Sequence, residues 1–278
     1  MDVLADEYAS ISAQFIATSN HSTYGMLPDN IPCMENPDIA AWVRRSGLTK
    51  SAVSALSGAS LSTIHRIQNQ QTDPQLGTLR ELAIACGLDL DVHVRPLADP
   101  YAAQAVRMLL ETGFSPDNQR KADEWICRFE RAQLSTPFDL LKAAGRSVGL
   151  LHLSSPSTYL RGAATPLRLA SAGDASGGQW ALSGKSHLEL AAARELFGQQ
   201  VIWAEDAGRV VSNLRDSLTV ARSASTATVI VAQATPALFQ QFFTHERINY
   251  VTPVQSLIDG LSLGGILADT ATDIAQEW

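Results

Sequence analysis

The stretch from Thr49 to Pro74, TKSAVSALSGASLSTIHRIQNQQTDP, constrains the fold more than any other part of the chain. It reads as two short helices joined by a tight turn. Ala52, Val53 and Leu56 recur at helical spacing, so a first helix is expected to bury one face. Gly58 follows, where a left-handed or crowded backbone is easiest without a Cβ. Ser60 is placed to cap the start of a second helix. In that helix Ile64 and Ile67 point inward, which leaves Ser62, Thr63, His65 and Arg66 outward. The flanks extend the pattern. An amphipathic segment from Asp38 to Val43 precedes it, and Leu79, Leu82, Ala83 and Cys86 mark another helix closed by Gly87.

A helix-turn-helix needs this layout to set its second helix in the DNA major groove. The rhythm T-K-x-x-V-x-x-L-S-G-A-S-x-S-T-I-x-R-I, a loop marked by Pro74, and then L-x-x-L-A-x-A-x-G-L resembles the Xre (lambda-repressor-like) family. With the leader helix before it, the resemblance covers about a fifth of the chain and departs at Gln68, where family members usually carry Glu. It implies DNA contacts at Thr49, Lys50, Ser60, Ser62, Thr63, His65, Arg66, Asn69 and Gln70. Thr49 and Lys50 begin a helix whose amino end would face phosphate, with Asn69 and Gln70 on phosphate beyond the second helix. Arg66 would read a guanine edge, and Ser62, Thr63 and His65 would read bases or water. The competing reading is a small helical bundle used only for protein contact.

The chain has 278 residues and a formal net charge of −7, with a pI near 5.3. It is long enough to bury a core and to hold more than one domain. The acidic balance excludes a basic nucleic-acid coat. It is compatible with a DNA-binding module joined to an acidic domain, because only the DNA-facing surface must be positive. Arg44, Arg45, Lys50 and Arg66 fall in or near the motif. Cys33, Cys86 and Cys127 lack CxxC spacing, and the last two are expected as buried thiols. An odd cysteine count, no signal-peptide pattern and no apolar run of about 18 residues point to a reduced, soluble, cytoplasmic protein with no membrane partner.

The remaining chain divides by pattern, and an α+β fold is expected. Residues 1–36 form an extension with a helix from Ala5 to Ile16; a dimer arm, a leader and an over-long start are all open. Residues 37–97 hold the helix-turn-helix and a trailing strand, Leu88-Asp-Leu-Asp-Val-His-Val-Arg95, which alternates strictly. A lone strand needs a partner, either a symmetry mate or the extension. Residues 98–147 read as a helical connector of three helices, with Trp125, Ile126 and Phe129 inward in the second. Residues 148–278 read as an α+β domain with a small mixed sheet. Short apolar segments occur at Gly149–Leu153, Tyr159–Arg161 and Gln179–Ser183, and strands are expected at Gln200–Ala204, Thr226–Ala232 and Ile248–Val251. Residues 171–178, SAGDASGG, read as a flexible turn, and Pro236–Phe243 as a helix. Thr252 and Pro253 form a helix start, with Thr as cap and Pro in the first turn.

A second resemblance lies in this carboxyl-terminal part. W-A-L-S-G-K-S-H-L-E-L, and the closing Y-V-T-P-V-Q-S-L-I-D-G-L-S-L-G-G from Tyr250, resemble segments of type IV AbiEi-family antitoxins. The likeness implies a domain that neutralises a nucleotidyltransferase-like toxin, with Tyr250, Pro253, Gln255 and Asp259 as candidate partner-binding residues. That family usually opens with a winged helix, which this chain replaces with an Xre-type module. The other reading of Pro253, Gln255 and Asp259 is helix capping and core support.

No catalytic set emerges from the residues. Gly184-Lys185-Ser186 invites a phosphate-loop reading, but that motif needs a glycine five residues before Gly184, and position 179 is Gln. Asp174, Asp206, Asp216 and Asp259 are isolated, whereas nucleotidyl transfer would need paired Asp residues to hold two metals. His152, His187 and His245 lack metal-ligand spacing, and there is no GxSxG elbow. No enzyme, metal or cofactor is expected. The expectation is a dimeric, sequence-specific DNA-binding regulator, a repressor acting on a double-stranded operator as a homodimer. It could be the autoregulating antitoxin of a toxin–antitoxin pair with a cognate toxin partner. The alternatives are a toxin-sequestering module with secondary DNA binding, an effector-sensing repressor, and an enzyme with a DNA-targeting head.

Overall fold

The computed structural model describes residues 38–278. The extension, with the helix expected at Ala5–Ile16 and Cys33, lies outside the described residues. The described chain forms two compact units, residues 38–95 and residues 96–278. The protein is α+β, with twelve α-helices among the described residues and a seven-stranded mixed sheet in the second unit.

The first unit holds four helices: α1 (Ile39–Ser46), α2 (Lys50–Ser57), α3 (Leu61–Gln68) and α4 (Leu76–Ala85). Three of them start on side-chain caps. Asp38, Thr49 and Ser60 accept hydrogen bonds from the amides of Ala41, Ala52 and Thr63, which satisfies amides the helix leaves free. The turn between α2 and α3 closes at Gly58 (φ 70°), where any other residue would strain. Ser54 Oγ donates to the Ala59 carbonyl at 2.6 Å across that turn. Ile39, Val43, Val53, Ile64, Ile67, Leu79 and Leu82 make the core. Leu56 differs from expectation. It is 65 % exposed, because this eight-residue helix turns only the Val53 side inward.

No strand forms at Leu88–Arg95. Leu88 and Leu90 lean on the helical core, while Val94 is 97 % exposed. Alternation alone does not make a strand where the described residues offer no neighbour to pair with.

The second unit begins with α5 (Tyr101–Leu110), α6 (Gln119–Arg131) and α7 (Pro137–Val148). These are not a connector. They share one apolar core with the sheet and with the last two helices, so the division expected at residue 148 does not exist. The strands are β1 (Thr158–Arg161), β2 (Trp180–Gly184), β3 (Gln200–Ala204), β4 (Thr219–Val220), β5 (Val229–Gln233), β6 (Phe243–His245) and β7 (Ile248–Tyr250). Their spatial order is β4-β1-β5-β3-β2-β7-β6. β3 runs parallel to β5 and β2 parallel to β7; the other pairs are antiparallel.

Helices cover both faces of the sheet. Val201, Trp203, Ile230 and Ala232 face α5–α7 together with α9 (Lys185–Ala192), α11 (Pro253–Leu263) and α12 (Gly265–Gln276). Ile202, Ala204, Val229 and Val231 face α8 (Pro166–Asp174) and α10 (Ala207–Leu214). Successive side chains on a strand point to opposite faces, so a strand covered twice reads as a continuous apolar run. Residues 171–174 are the end of α8 rather than a flexible turn. Pro236–Phe239 is a short 3-10 turn, and Phe243 already belongs to β6. Cys86 is buried, whereas Cys127 is only partly so.

Candidate nucleic-acid interface

The exposed side of α3 is the largest concentration of expected site residues. Ser62, His65, Arg66, Asn69 and Gln70 are exposed, and Ile64 and Ile67 are buried beneath them. Helical spacing dictates this division, since 64 and 67 lie on one face. Thr63 is half-buried, and its hydroxyl lies 2.8 Å from Ser60 Oγ. Both hydroxyls are therefore turned toward the cap. His65 and Asn69 are joined side chain to side chain at 3.1 Å, one helical turn apart. Gln70 takes a positive φ of 56° as the chain leaves the helix.

Thr49 and Lys50 are exposed at the start of α2, where the helix dipole and free amides favour an anion. Among the described residues Arg44 pairs with Asp38 at 3.6 Å, while Arg45, Lys50 and Arg66 form no ion pair. The unit spends its cations sparingly: residues 38–95 hold six Lys and Arg against five Asp and Glu, in a chain of net charge −7. The acidity of the protein therefore resides mostly elsewhere.

The four carboxyl-terminal candidates are a different matter. Tyr250 is 5 % exposed, Gln255 3 % and Asp259 0 %, and Pro253 is buried as well. None presents a surface to a partner, which corrects their expected role and leaves capping and core support. Thr252 caps α11 by accepting from the Gln255 amide, with Pro253 in the first turn. Asp259 accepts from Ser183 Oγ at 2.6 Å, Trp203 Nε1 at 2.8 Å and Gln255 Nε2 at 2.8 Å. Burial pushes its pKa up to about 6 despite those three donors.

Next to it lies a polar chain that the sequence did not announce. Arg107 Nε donates to Glu111 Oε2 at 2.7 Å inside the core. Its other nitrogens donate to the carbonyls of Ala237, Leu238 and Gln240. Glu111 also accepts from the Thr252 hydroxyl, and burial raises its pKa. A cation and a carboxylate four residues apart on the otherwise apolar α5 was the available signal. Removing either partner would strand a buried charge.

A cavity of about 90 Å³ borders this chain, lined among others by Ala103, Gln104, Arg107, Trp203, Thr235 and Gln255. Its walls are largely apolar. The phosphate-loop segment is equally committed to structure. The Lys185 amide donates to the Gln199 carbonyl at 3.0 Å, Lys185 Nζ pairs with Glu189 at 3.5 Å, and Ser186 Oγ donates to Gln200. His187 is fully buried with neither ring nitrogen bonded, against Phe243 and Tyr250. Among the described residues no cluster of His, Cys, Asp or Glu could hold a metal, and no helix is long and apolar enough to cross a membrane. No family model, curated protein or solved structure matches this chain.

Proposed function

We propose that the protein is a sequence-specific DNA-binding regulator of transcription, with α3 as its reading element. The observation that carries this is the exposed polar face of α3, Ser62-His65-Arg66-Asn69, capped by Ser60, together with the exposed Lys50 at the start of α2, which forms no ion pair among the described residues. Arg66 reads a base edge in the major groove, and Thr49, Lys50, Asn69 and Gln70 position the backbone. Occlusion of a promoter by this module would make the protein a repressor. Selection of bound sequences from a random DNA pool by the full-length protein tests the reading. An enriched motif that footprints as a bounded site supports it; binding with no sequence preference and no footprint overturns it.

The second unit then supplies the signal. The cavity beside Arg107 and Trp203 favours a small, largely apolar effector over a toxin partner, because every residue expected to meet the toxin is buried. Ligand-dependent thermal stabilisation of the full chain, lost when Ala103→Leu fills the cavity, is the expected result. Capture of a protein encoded beside it, with no such stabilisation, would favour the antitoxin reading.

A further inference from the structure

Residues 89–95, DLDVHVR, find no backbone partner among the described residues, although Asp91 and His93 meet side chain to side chain at 2.8 Å. Among the described residues, 91–98 make no backbone hydrogen bond. The Leu90 amide is met only by its neighbour Asp89's own carboxylate, at 2.9 Å. The segment is bounded on both sides. The Leu88 amide is already given to the Ala83 carbonyl at 2.9 Å, and Pro96 has no amide hydrogen to give. Between them lies a run with alternating side chains, rich in β-branched residues and free in its backbone groups. Its apolar members become more exposed along the chain. Leu90 packs on the helical core, Val92 is 54 % exposed and Val94 97 %.

The charges are ordered as well. Asp89 and Asp91 come first, His93 and Arg95 last, and Val92 lies at the centre. Reversed, the segment is its own complement. We propose that residues 89–95 pair antiparallel with the same segment of a second copy, Val92 opposite the partner's Val92.

In that register Asp89 faces the partner's Arg95 and Asp91 faces the partner's His93, so two-fold symmetry gives two Asp–Arg and two Asp–His pairs on one side, the latter exchanging the 2.8 Å contact that Asp91 and His93 make within each copy. On the other side Leu90 faces the partner's Val94. Each exposed Val94 is thus carried to the residue that already rests on the other copy's helical core. Neighbouring two-residue registers keep only two opposite-charge pairs each. A slip of two residues one way sets Asp91 against the partner's Asp91 and Arg95 against the partner's Gly87. The other way sets His93 against the partner's His93 and strands Asp89 opposite the partner's Leu97. A slip of one residue puts charges against valines and turns every side chain to the wrong face. Like charges directly opposite destabilise a strand pair and unlike charges support it. Two strands alone are marginal in water, so it is the cover of Leu90 and the helical core that makes the pairing hold.

The interface is independent of DNA binding, though the dimer that an inverted-repeat operator requires would rest on it. The test uses full-length protein without DNA, so its failure and the failure of the DNA-binding reading are separable. Two charge variants are compared with the unaltered chain by sedimentation equilibrium. One is all-acidic (His93→Asp with Arg95→Asp); the other is all-basic (Asp89→Arg with Asp91→Arg). All four positions are exposed, and circular dichroism confirms folding. Alone, each variant should dissociate with a constant raised on the order of 100-fold, since the Asp–Arg and Asp–His pairs are lost and like charges face each other. Mixed in equal amounts, they should form a heterodimer close to the original affinity, a rescue that damage to folding would not show. Val92→Cys should become disulfide-linked faster than Val94→Cys. An unaltered chain that stays monomeric at the highest concentration reached would overturn the proposal. So would charge variants that dimerise undiminished, or a mixture that stays dissociated.

Discussion

Among the described residues Arg66 and Lys50 are both exposed and free of ion pairs, yet they stand in different places and should fail differently. Arg66 projects from α3, so Arg66→Ala should weaken specific binding by about 1–3 kcal/mol while leaving non-specific binding nearly unchanged. Lys50, at the amino end of α2, is the proposed phosphate contact. Lys50→Ala should weaken all sequences alike and flatten the salt dependence of binding. Titration on specific and scrambled duplexes over a salt series separates the two; equal loss for both substitutions on both duplexes contradicts these roles. The buried ionisable residues act on stability instead. His187 has its pKa lowered by burial from 6.5 to about 3. Its contribution is therefore full above pH 6.5 and is lost as pH falls toward 3, a loss of about 4–5 kcal/mol over that window. His187→Leu should remove that acid sensitivity. Asp259 has the opposite sign. With a pKa raised from 3.8 to about 6, it contributes most below pH 3.8 and loses about 3 kcal/mol as pH rises through 6. Urea unfolding of Asp259→Asn should therefore gain on the parent between pH 4 and 7; a constant difference would contradict the raised pKa.

Among the elements, α2 and α3 show how far periodicity carries. Val53, Ile64 and Ile67 are buried as spacing dictates, but Leu56 is not, although the same rule selected it. The rule identifies a face and not its width, and an eight-residue helix in a small bundle contacts its neighbours along a narrow stripe. Ile64→Ala should thus cost about 2–5 kcal/mol, while Leu56→Ala stays within about 0.5 kcal/mol, as read by thermal unfolding. A large loss at Leu56 would mean that a partner covers it. In the second unit α11 is the keystone element. Its cap, Thr252, also donates to the buried Glu111, so Thr252→Val removes two interactions at once. A loss of about 2–4 kcal/mol in urea unfolding is expected, and a neutral substitution would show that Glu111 finds another donor.

In the whole molecule, the proposed reading helix α3 would by itself span only a few base pairs. A two-fold dimer would read an inverted repeat with half-sites about one helical turn, or a multiple of it, apart. Footprinting should show two protected half-sites; a single half-site held by a monomer would oppose it. Limited proteolysis should cut near Arg95–Pro96 and leave 96–278 intact, because α5–α7 share the core of the sheet. A stable fragment beginning near residue 148 is not expected.

Local pattern was enough to place the caps at Ser60 and Thr252, the helix starts near Asp38 and Thr49, the turn at Gly58, the inward faces of α3 and α4, and the strands β3 and β5. These follow from spacing, backbone freedom and side-chain length within a few residues, all of which a linear reading contains. Which strands neighbour one another, the union of α5–α7 with the sheet, and the Arg107–Glu111–Thr252 chain join residues up to 141 apart, and no periodicity encodes such pairings. The burial of Tyr250, Pro253, Gln255 and Asp259 is of the same kind. A motif shows which side chains recur together, but whether they meet solvent depends on what the rest of the chain packs over them.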